Sequence, residues 1–415
     1  MAEESERQCI YVGVDWASKA HQGCVLDAEG KELENVTFAH EGEAITAWID
    51  SLLERAKGAS ESILVAIETP QSAVVEMLLE RSIAVYAINP KQLDRLRDRS
   101  TVAGAKDDRR DARVLAQSLR TDRGLFRLVK LGTRRRVLLR ELVRIHDELR
   151  IELYSHGNRL GELLRRFYPA MLELGSIYDN EWVWDLLELA PTPDAARRVS
   201  RSKVKQVLRQ RRVRRLDEEQ VLAILRAPAL GVPEAVAEAC AEHIRLILPR
   251  LRLVSAQRKA VLARLDALIE APPTSNDPEE QREHRDATIL LSWPGVGTLV
   301  CATMLAEAGQ PLGQRDYANL RLYCGLAPVT RQSGQRRAVV MRRACNRLLR
   351  NAMHHLAHNA LKTDMRAKAH YAALRAKGHS VGRALRGVAD RLLEGIVVSL
   401  SKGELYDTQK RQIAA

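Results

Sequence analysis

Cys9-Ile10-Tyr11-Val12-Gly13-Val14-Asp15 is a short apolar, β-branched run that stops on a carboxylate. It reads as a buried strand. Working outward, Gly23–Asp27 and Leu33–Ala39 read as two further strands joined by the turn Ala28-Glu29-Gly30-Lys31. A helix over 42–57 follows, with Ile45, Trp48, Ile49, Leu52 and Leu53 at helical spacing. Ile63-Leu64-Val65-Ala66-Ile67 is then an uninterrupted apolar strand ending at Glu68. Pro70 opens another helix, and Ala84–Ile88 is expected as the last strand before Asn89-Pro90. Three meandering strands followed by alternating helix and strand is the order of an RNase H-like α/β fold. In that order Asp15 and Glu68 end neighbouring strands, at the edge where open α/β sheets place their active sites.

Lys106-Asp107-Asp108-Arg109-Arg110-Asp111-Ala112 reads as the start of a further helix. Asp108 and Asp111, three apart, project from one helix face. Like charges held that close repel unless solvated or neutralised by a cation. On those residues alone a solvated acidic turn explains them as well. With Asp15 and Glu68 at the same edge, four carboxylates converge, and hard oxygen ligands suit Mg²⁺ or Mn²⁺ acting on a phosphodiester. Asp107 reaches Asp111 at i,i+4, so the residues alone do not separate it from Asp108. An ATPase built on the same sheet would need a glycine-rich turn after the first strand. Asp15-Trp16-Ala17-Ser18-Lys19 contains no glycine, which excludes that class.

Charge is strongly divided. Residues 1–90 hold 6 Lys and Arg against 16 Asp and Glu, a net of −10. The remainder holds 60 against 37, a net of +23, the footprint of a polyanion partner. With aromatics at only 4%, contact through backbone phosphates fits better than a base-stacking platform. The 415 residues exceed one ordinary core. Six scattered cysteines without a CxxC pair fit free thiols in a reducing cytoplasm. The acidic N-terminus lacks the features of a signal peptide, and no apolar run is long enough to span a membrane.

A long helix is expected over 134–174, with Leu142, Ile145, Leu149, Leu153, His156, Leu160, Leu163 and Phe167 forming a coiled-coil-like seam. Ile244 to Leu268 repeats the pattern, with Pro249 expected to bend that helix. A plain helical hairpin fits locally as well as a protruding dimerisation arm. Between the arms, Trp182–Leu230 reads as a small helical insert. Its run Arg209-Gln-Arg211-Arg212-Val-Arg-Arg215 is a candidate phosphate or RNA contact. Trp293-Pro-Gly-Val-Gly297 is read as a turn whose amides suit a phosphate, though PGVG also makes ordinary turns. Thr330-Arg331-Gln-Ser333-Gly334-Gln-Arg336-Arg337 sets a serine beside glycine in a basic loop. His354 and His358 lack the glutamate of a zinc-protease motif and read as structural or nucleic-acid-contacting.

Val-Asp15-Trp-Ala-Ser-Lys, Ile-Glu68-Thr, Lys106-Asp-Asp108-Arg-Arg-Asp111-Ala, Trp293–Gly297, Tyr323-Cys-Gly325-Leu-Ala-Pro328 and Ser333-Gly334 together resemble a family. They are similar to the DEDD transposases of bacterial insertion sequences, also known as bridge-RNA-guided recombinases and related to pilin-gene invertases. Gln335, where family members often carry a second glycine, departs from the pattern. The resemblance implies a divalent-metal site of Asp15, Glu68, Asp108 and Asp111, and Ser333 as nucleophile. It also implies a noncoding guide RNA pairing with donor and target double-stranded DNA, and a composite site in a homodimer or homotetramer.

Lys106, Arg109, Arg110, Arg211, Arg212, Arg331, Arg336, Arg337, Arg342 and Arg343 are the candidate nucleic-acid contacts. The expected organisation is an RNase H-like domain (1–130), a helical coiled-coil domain with its insert (131–284), a mainly helical serine-bearing domain (285–402) and a tail (403–415). The expected localisation is cytoplasmic, at the bacterial nucleoid. The rival readings are a Holliday-junction resolvase-like nuclease in which Ser333 is incidental, and a noncatalytic RNA- and DNA-binding scaffold.

Overall fold

The computed structural model describes residues 9–89, 92–96, 107–130, 132–334 and 336–407. The chain forms two compact units that divide between Gly132 and Thr133.

The first unit is built on a six-stranded mixed sheet. Its strands are β1 (Ile10–Asp15), β2 (Ala20–Leu26), β3 (Glu32–Ala39), β4 (Ile63–Ile67), β5 (Ala84–Ala87) and β6 (Arg127–Val129). They lie in the order β3-β2-β1-β4-β5-β6. β1–β2 and β2–β3 are antiparallel, β1–β4 and β4–β5 parallel, and β5–β6 antiparallel. Strand side chains alternate between faces. Val12, Val14, Val65 and Ile67 meet α1 (Gly42–Arg55) and α2 (Ala73–Glu80) on one face. On the other, Leu64, Ala66 and Tyr86 pack with Leu115 and Leu119 of α3 (Asp108–Thr121).

Three boundaries differ from the sequence reading. α1 stops at Arg55, because Lys57 and Gly58 turn into left-handed backbone (φ 51° and 82°). α2 opens at Ala73 after Ser72 instead of at Pro70. Ala84–Ala87 is not the last strand, since three-residue β6 pairs beyond it, too short to leave a period-two signature.

The second unit is helical apart from one hairpin. α4 (Arg134–Phe167) is followed by a 3₁₀ stretch at Pro169–Leu174. The expected helix to 174 ends early because a residue before proline is driven out of helical backbone, and Tyr168 sits at φ −140°, ψ 59°. The insert comprises α5 (Glu181–Leu189), α6 (Pro193–Arg198), α7 (Arg201–Gln210) and α8 (Glu218–Leu225). Its core holds the fully buried Trp184 and Tyr168, whose polar tips donate to the carbonyls of Ile177 and Leu225. α9 (Glu234–Glu270) runs through Pro249.

α4 and α9 form an antiparallel pair serving two cores. Leu153, Leu160 and Phe167 pack with Ile244, Leu251 and Val254 in the core of the insert. Leu139 and Val143 pack with Leu265 and Ile269 in the core of the C-terminal helices. The buried face therefore departs from the expected seam: Val143 and His146 turn inward and Ile145 is exposed.

The C-terminal helices are α10 (Pro278–Ser292), α11 (Thr298–Glu307), α12 (Gly309–Gly313), α13 (Tyr317–Tyr323), α14 (Arg347–Thr363), α15 (Met365–Ala376) and α16 (Val381–Lys402). Between α13 and α14 stands the hairpin of β7 (Val329–Ser333) and β8 (Arg336–Val340). α11 is the hub, with every side chain from Val300 to Ala306 buried. Paired hydrogen bonds lock the bundle, from Arg321 to Asp390 (2.7 and 2.6 Å) and from Arg315 to Asp286 (2.7 Å each). Among the described residues no helix is long and apolar enough to cross a membrane.

Candidate functional site

Gly13 sets the geometry of the first unit. A Cβ at this position would lie 1.9 Å from the carbonyl oxygen of Ala112 and 2.6 Å from the amide of Ala116. Only glycine lets the backbone of α3 rest directly on β1. The direction of α3 follows from its contacts along β3. Arg109 Nε donates to Asn35 (3.1 Å), Arg113 pairs with Glu32 (3.1 Å), and Arg120 donates to the carbonyl of Ala28 (3.2 Å). Because β3 runs parallel to β1, α3 runs opposite to both. Its N-terminal turn thus overlies the end of β1 where Asp15 stands.

Asp15 ends β1, and Val14 pairs with Ile67, so Glu68 follows at the end of the neighbouring parallel strand. Asp108 and Asp111 lie in the first turn of α3, Asp108 exposed and Asp111 only 3% exposed. Carboxylates at a helix N-terminus are favoured by its dipole. Asp107 is the N-cap, its carboxylate accepting from the amide of Arg109 (3.3 Å). The four residues share one edge and offer the hard oxygen donors that Mg²⁺ or Mn²⁺ prefers. Among the described residues no three His, Cys, Asp or Glu side chains stand close enough together to enclose an ion. The edge carries the donor chemistry without a closed cage.

In the second unit, Ser333 ends β7 and pairs with Arg336 across the turn begun by Gly334 (φ 56°). It is exposed at the hairpin tip. The feet are fixed more firmly. A Cβ on Gly325 (φ 68°) would lie 2.7 Å from Cys345 Sγ, and the amide of Asn346 donates to the carbonyl of Tyr323 (2.9 Å). The Asn346 side chain then caps α14 through the amides of Leu348 and Leu349 (2.9 and 3.1 Å). Arg331, Arg336 and Arg343 are exposed, and none of them, nor Arg342, pairs with a carboxylate among the described residues.

Residues 12–169 match the family model of the IS110-type DEDD transposase domain, and residues 287–372 match the IS116/IS110/IS902 transposase family. A Streptomyces coelicolor protein named as a transposase for the IS117 mini-circle is 30% identical over 409 residues, 97% of this chain and 96% of that protein. The chain belongs to the IS110/IS116 family of transposases.

The IS110 insertion-element protein of the same organism is 27% identical to this transposase over 421 residues, 98% of this chain and 97% of that one. A Sinorhizobium fredii protein named as transposase y4uE is 44% identical over 215 residues, 51% of this chain and 59% of its own length.

The remaining candidate residues of this IS110/IS116 transposase fall differently. Lys106 lies outside the described residues, as does the side chain of Arg337. Arg110 is exposed. Arg211 and Arg212 are both exposed, and Arg211 pairs within the insert with Asp185 (2.6 Å) and Glu181. Hydrogen bonding from Lys259, with help from Arg211, holds the Glu181 carboxyl below its ordinary range. Arg211 is thus a tie within the insert as well as an exposed candidate for nucleic-acid contact.

The Trp293–Gly297 turn also has a packing role. A Cβ on Gly295 would lie 2.4 Å from the Leu356 carbonyl, and the Thr298 hydroxyl donates to the Asp266 carboxylate (2.7 Å). His354 and His358 stack at 6.5 Å, and among the described residues they form no metal cluster.

Gln22 and Thr37 went unnoticed in the sequence. They lie in register with Asp15 across β2 and β3, on its side of the sheet, and Thr37 donates to Gln22 (2.7 Å). Only strand pairing reveals that row.

Proposed function

We propose that this transposase cuts and rejoins DNA through the carboxylate edge of an RNase H-like domain and the hydroxyl of Ser333, guided by a noncoding RNA. The observation that carries the reading is the direction of α3, which brings the Asp108–Asp111 turn to the edge where Asp15 and Glu68 end. The strand order β3-β2-β1-β4-β5 is that expected of an RNase H-like sheet. Asp107, occupied as the N-cap, leaves Asp108 as the better partner of Asp111.

Asp15, Glu68, Asp108 and Asp111 would hold Mg²⁺ or Mn²⁺, which when bound stabilises charge on the phosphoryl oxygens. Ser333 Oγ forms a bond to phosphorus as the bond to the departing deoxyribose oxygen breaks. The seryl proton passes to a carboxylate, and solvent protonates the departing oxygen. The serine–DNA ester conserves the free energy of the phosphodiester, so a strand hydroxyl can later reverse the step and reseal without ATP. Exposure at a basic hairpin tip gives Ser333 access and a positive field for phosphate. Ser333 lies 222 residues beyond Asp111 in sequence, and an oligomer in which one protomer's serine serves another's carboxylates follows from the family resemblance.

Trapping the ester tests the reading. RNA-loaded protein incubated with a nicked substrate should give a DNA–protein adduct whose peptide map ends on Ser333. Cleavage with no adduct would favour the hydrolytic, resolvase-like rival.

A further inference from the structure

A cavity of about 210 Å³ opens at the foot of the serine hairpin, in the second unit alone. Met341, the first residue beyond β8, and Gly325, shortly before β7, lie on its rim, and Arg350 of α14 and Arg386 of α16 line it. Among the described residues no carboxylate lines it. The two arginines are half-buried, yet among those residues each has only a sulfur for a side-chain partner. Arg350 Nη1 lies 4.0 Å from Cys345 Sγ, and Arg386 Nη1 lies 3.2 Å from Met341 Sδ. Arg315 and Arg321 of the same unit, by contrast, are matched to Asp286 and Asp390. Sulfur is a weak acceptor and leaves most of a guanidinium's five donors unused. Burying positive charge without a counter-charge is costly unless a ligand supplies one. Burial and the nearby Arg383 pull the Arg386 pKa down, consistent with that cost. Asn351 and His354 add polar groups to the wall.

We infer that this cavity binds a phosphate of the DNA strand, clamped between Arg350 and Arg386. It is a flanking phosphate and not the one attacked. Four residue steps separate Val329 from Ser333, so the foot lies roughly 13 Å from the tip at about 3.3 Å per residue. That distance spans about four nucleotides along B-form DNA at roughly 3.4 Å each. The cavity thereby sets the register of the strand on the hairpin. The inference rests on the proposed role of Ser333 at the hairpin tip.

The test scans single neutral methylphosphonates along the DNA strand and measures affinity for full-length protein. At one position, about four nucleotides from the cut, neutralisation should weaken wild-type binding by about tenfold. The same change should cost little in Arg350→Gln or Arg386→Gln. Each Gln variant should lower the salt slope by about 1, and Arg386→Lys should restore it. The wild-type scan needs no variant, so misfolding cannot mimic its result. If no position behaves this way, or if abasic sites in place of methylphosphonates weaken binding, the cavity is not a phosphate clamp. Adduct formation is scored in the same tubes. Its absence alongside a positive scan would overturn the role of Ser333 while leaving the clamp standing.

Discussion

The carboxylate edge and the serine hairpin solve opposite problems. The edge is assembled by close backbone packing, with α3 resting on Gly13 and Asp111 almost wholly buried. The hairpin is two exposed five-residue strands fixed at the feet and open at the tip. In the proposed site, four like charges work at one edge against their mutual repulsion, which requires a rigid frame. In the proposed reaction, the serine that carries a strand through exchange needs access and freedom to move. The difference teaches that the close packing lies under the acidic edge and the open backbone at the basic hairpin, which is the division the proposed chemistry needs.

Removing charge from the edge should have the largest effect. Asp15→Asn or Glu68→Gln is expected to abolish strand cleavage while DNA affinity stays within about twofold, read by gel cleavage beside a binding titration. Normal cleavage by both variants would remove the edge from the chemistry. Ser333→Ala should lose the covalent adduct and, with it, strand cleavage, and a surviving adduct would pass the role to another nucleophile, with Thr330 next. Mixing Asp15→Asn and Ser333→Ala chains should restore single-strand cutting if the two halves work between protomers. No recovery in confirmed mixed oligomers would favour a site within one chain.

The contrast in rigidity has its own test. Gly13→Ala should destabilise the first unit by at least about 1–3 kcal/mol, the usual cost of overpacking. Gly334→Ala meets no neighbour and should cost only about 1 kcal/mol for its left-handed backbone. Equal losses in thermal unfolding would erase the distinction.

The smallest effect concerns pH. Burial, reinforced by Arg258, pushes His146 down to about 4, from an ordinary 6.5. The folded state therefore rejects a proton that the unfolded chain accepts. The second unit should lose stability as pH falls from about 6.5 towards 4, and His146→Gln should flatten that slope in unfolding midpoints. The first unit should not respond to this substitution.

Much of the edge could be read before the structure. Ile63–Ile67 appears where expected because a five-residue apolar run has one reading in a buried parallel sheet. Asp108 opens its helix as anticipated because an acidic first turn and an Asp cap are local signals. The packing of Ala112 on Gly13 was not legible, since it joins residues 99 apart with no periodic mark. The α4 seam was misread for a related reason. Its face is shared between two cores, so Val143 and Ile145 exchange the roles that a single repeat assigns them. Arg211 shows that a basic run reveals total charge but not which members are already neutralised at home.

The sharing of α4 between two cores has a consequence for synthesis. Leu139 and Val143 are sealed by side chains reaching to Leu400, some 257 positions later. At roughly 5–20 residues per second on the ribosome, that stretch takes about 10–50 s to emerge. During that interval the nascent chain carries a long helix with one oily end unsealed, a natural target for chaperones. A message truncated before α16 would yield a product that never closes it, fit for proteolysis and not for recombination.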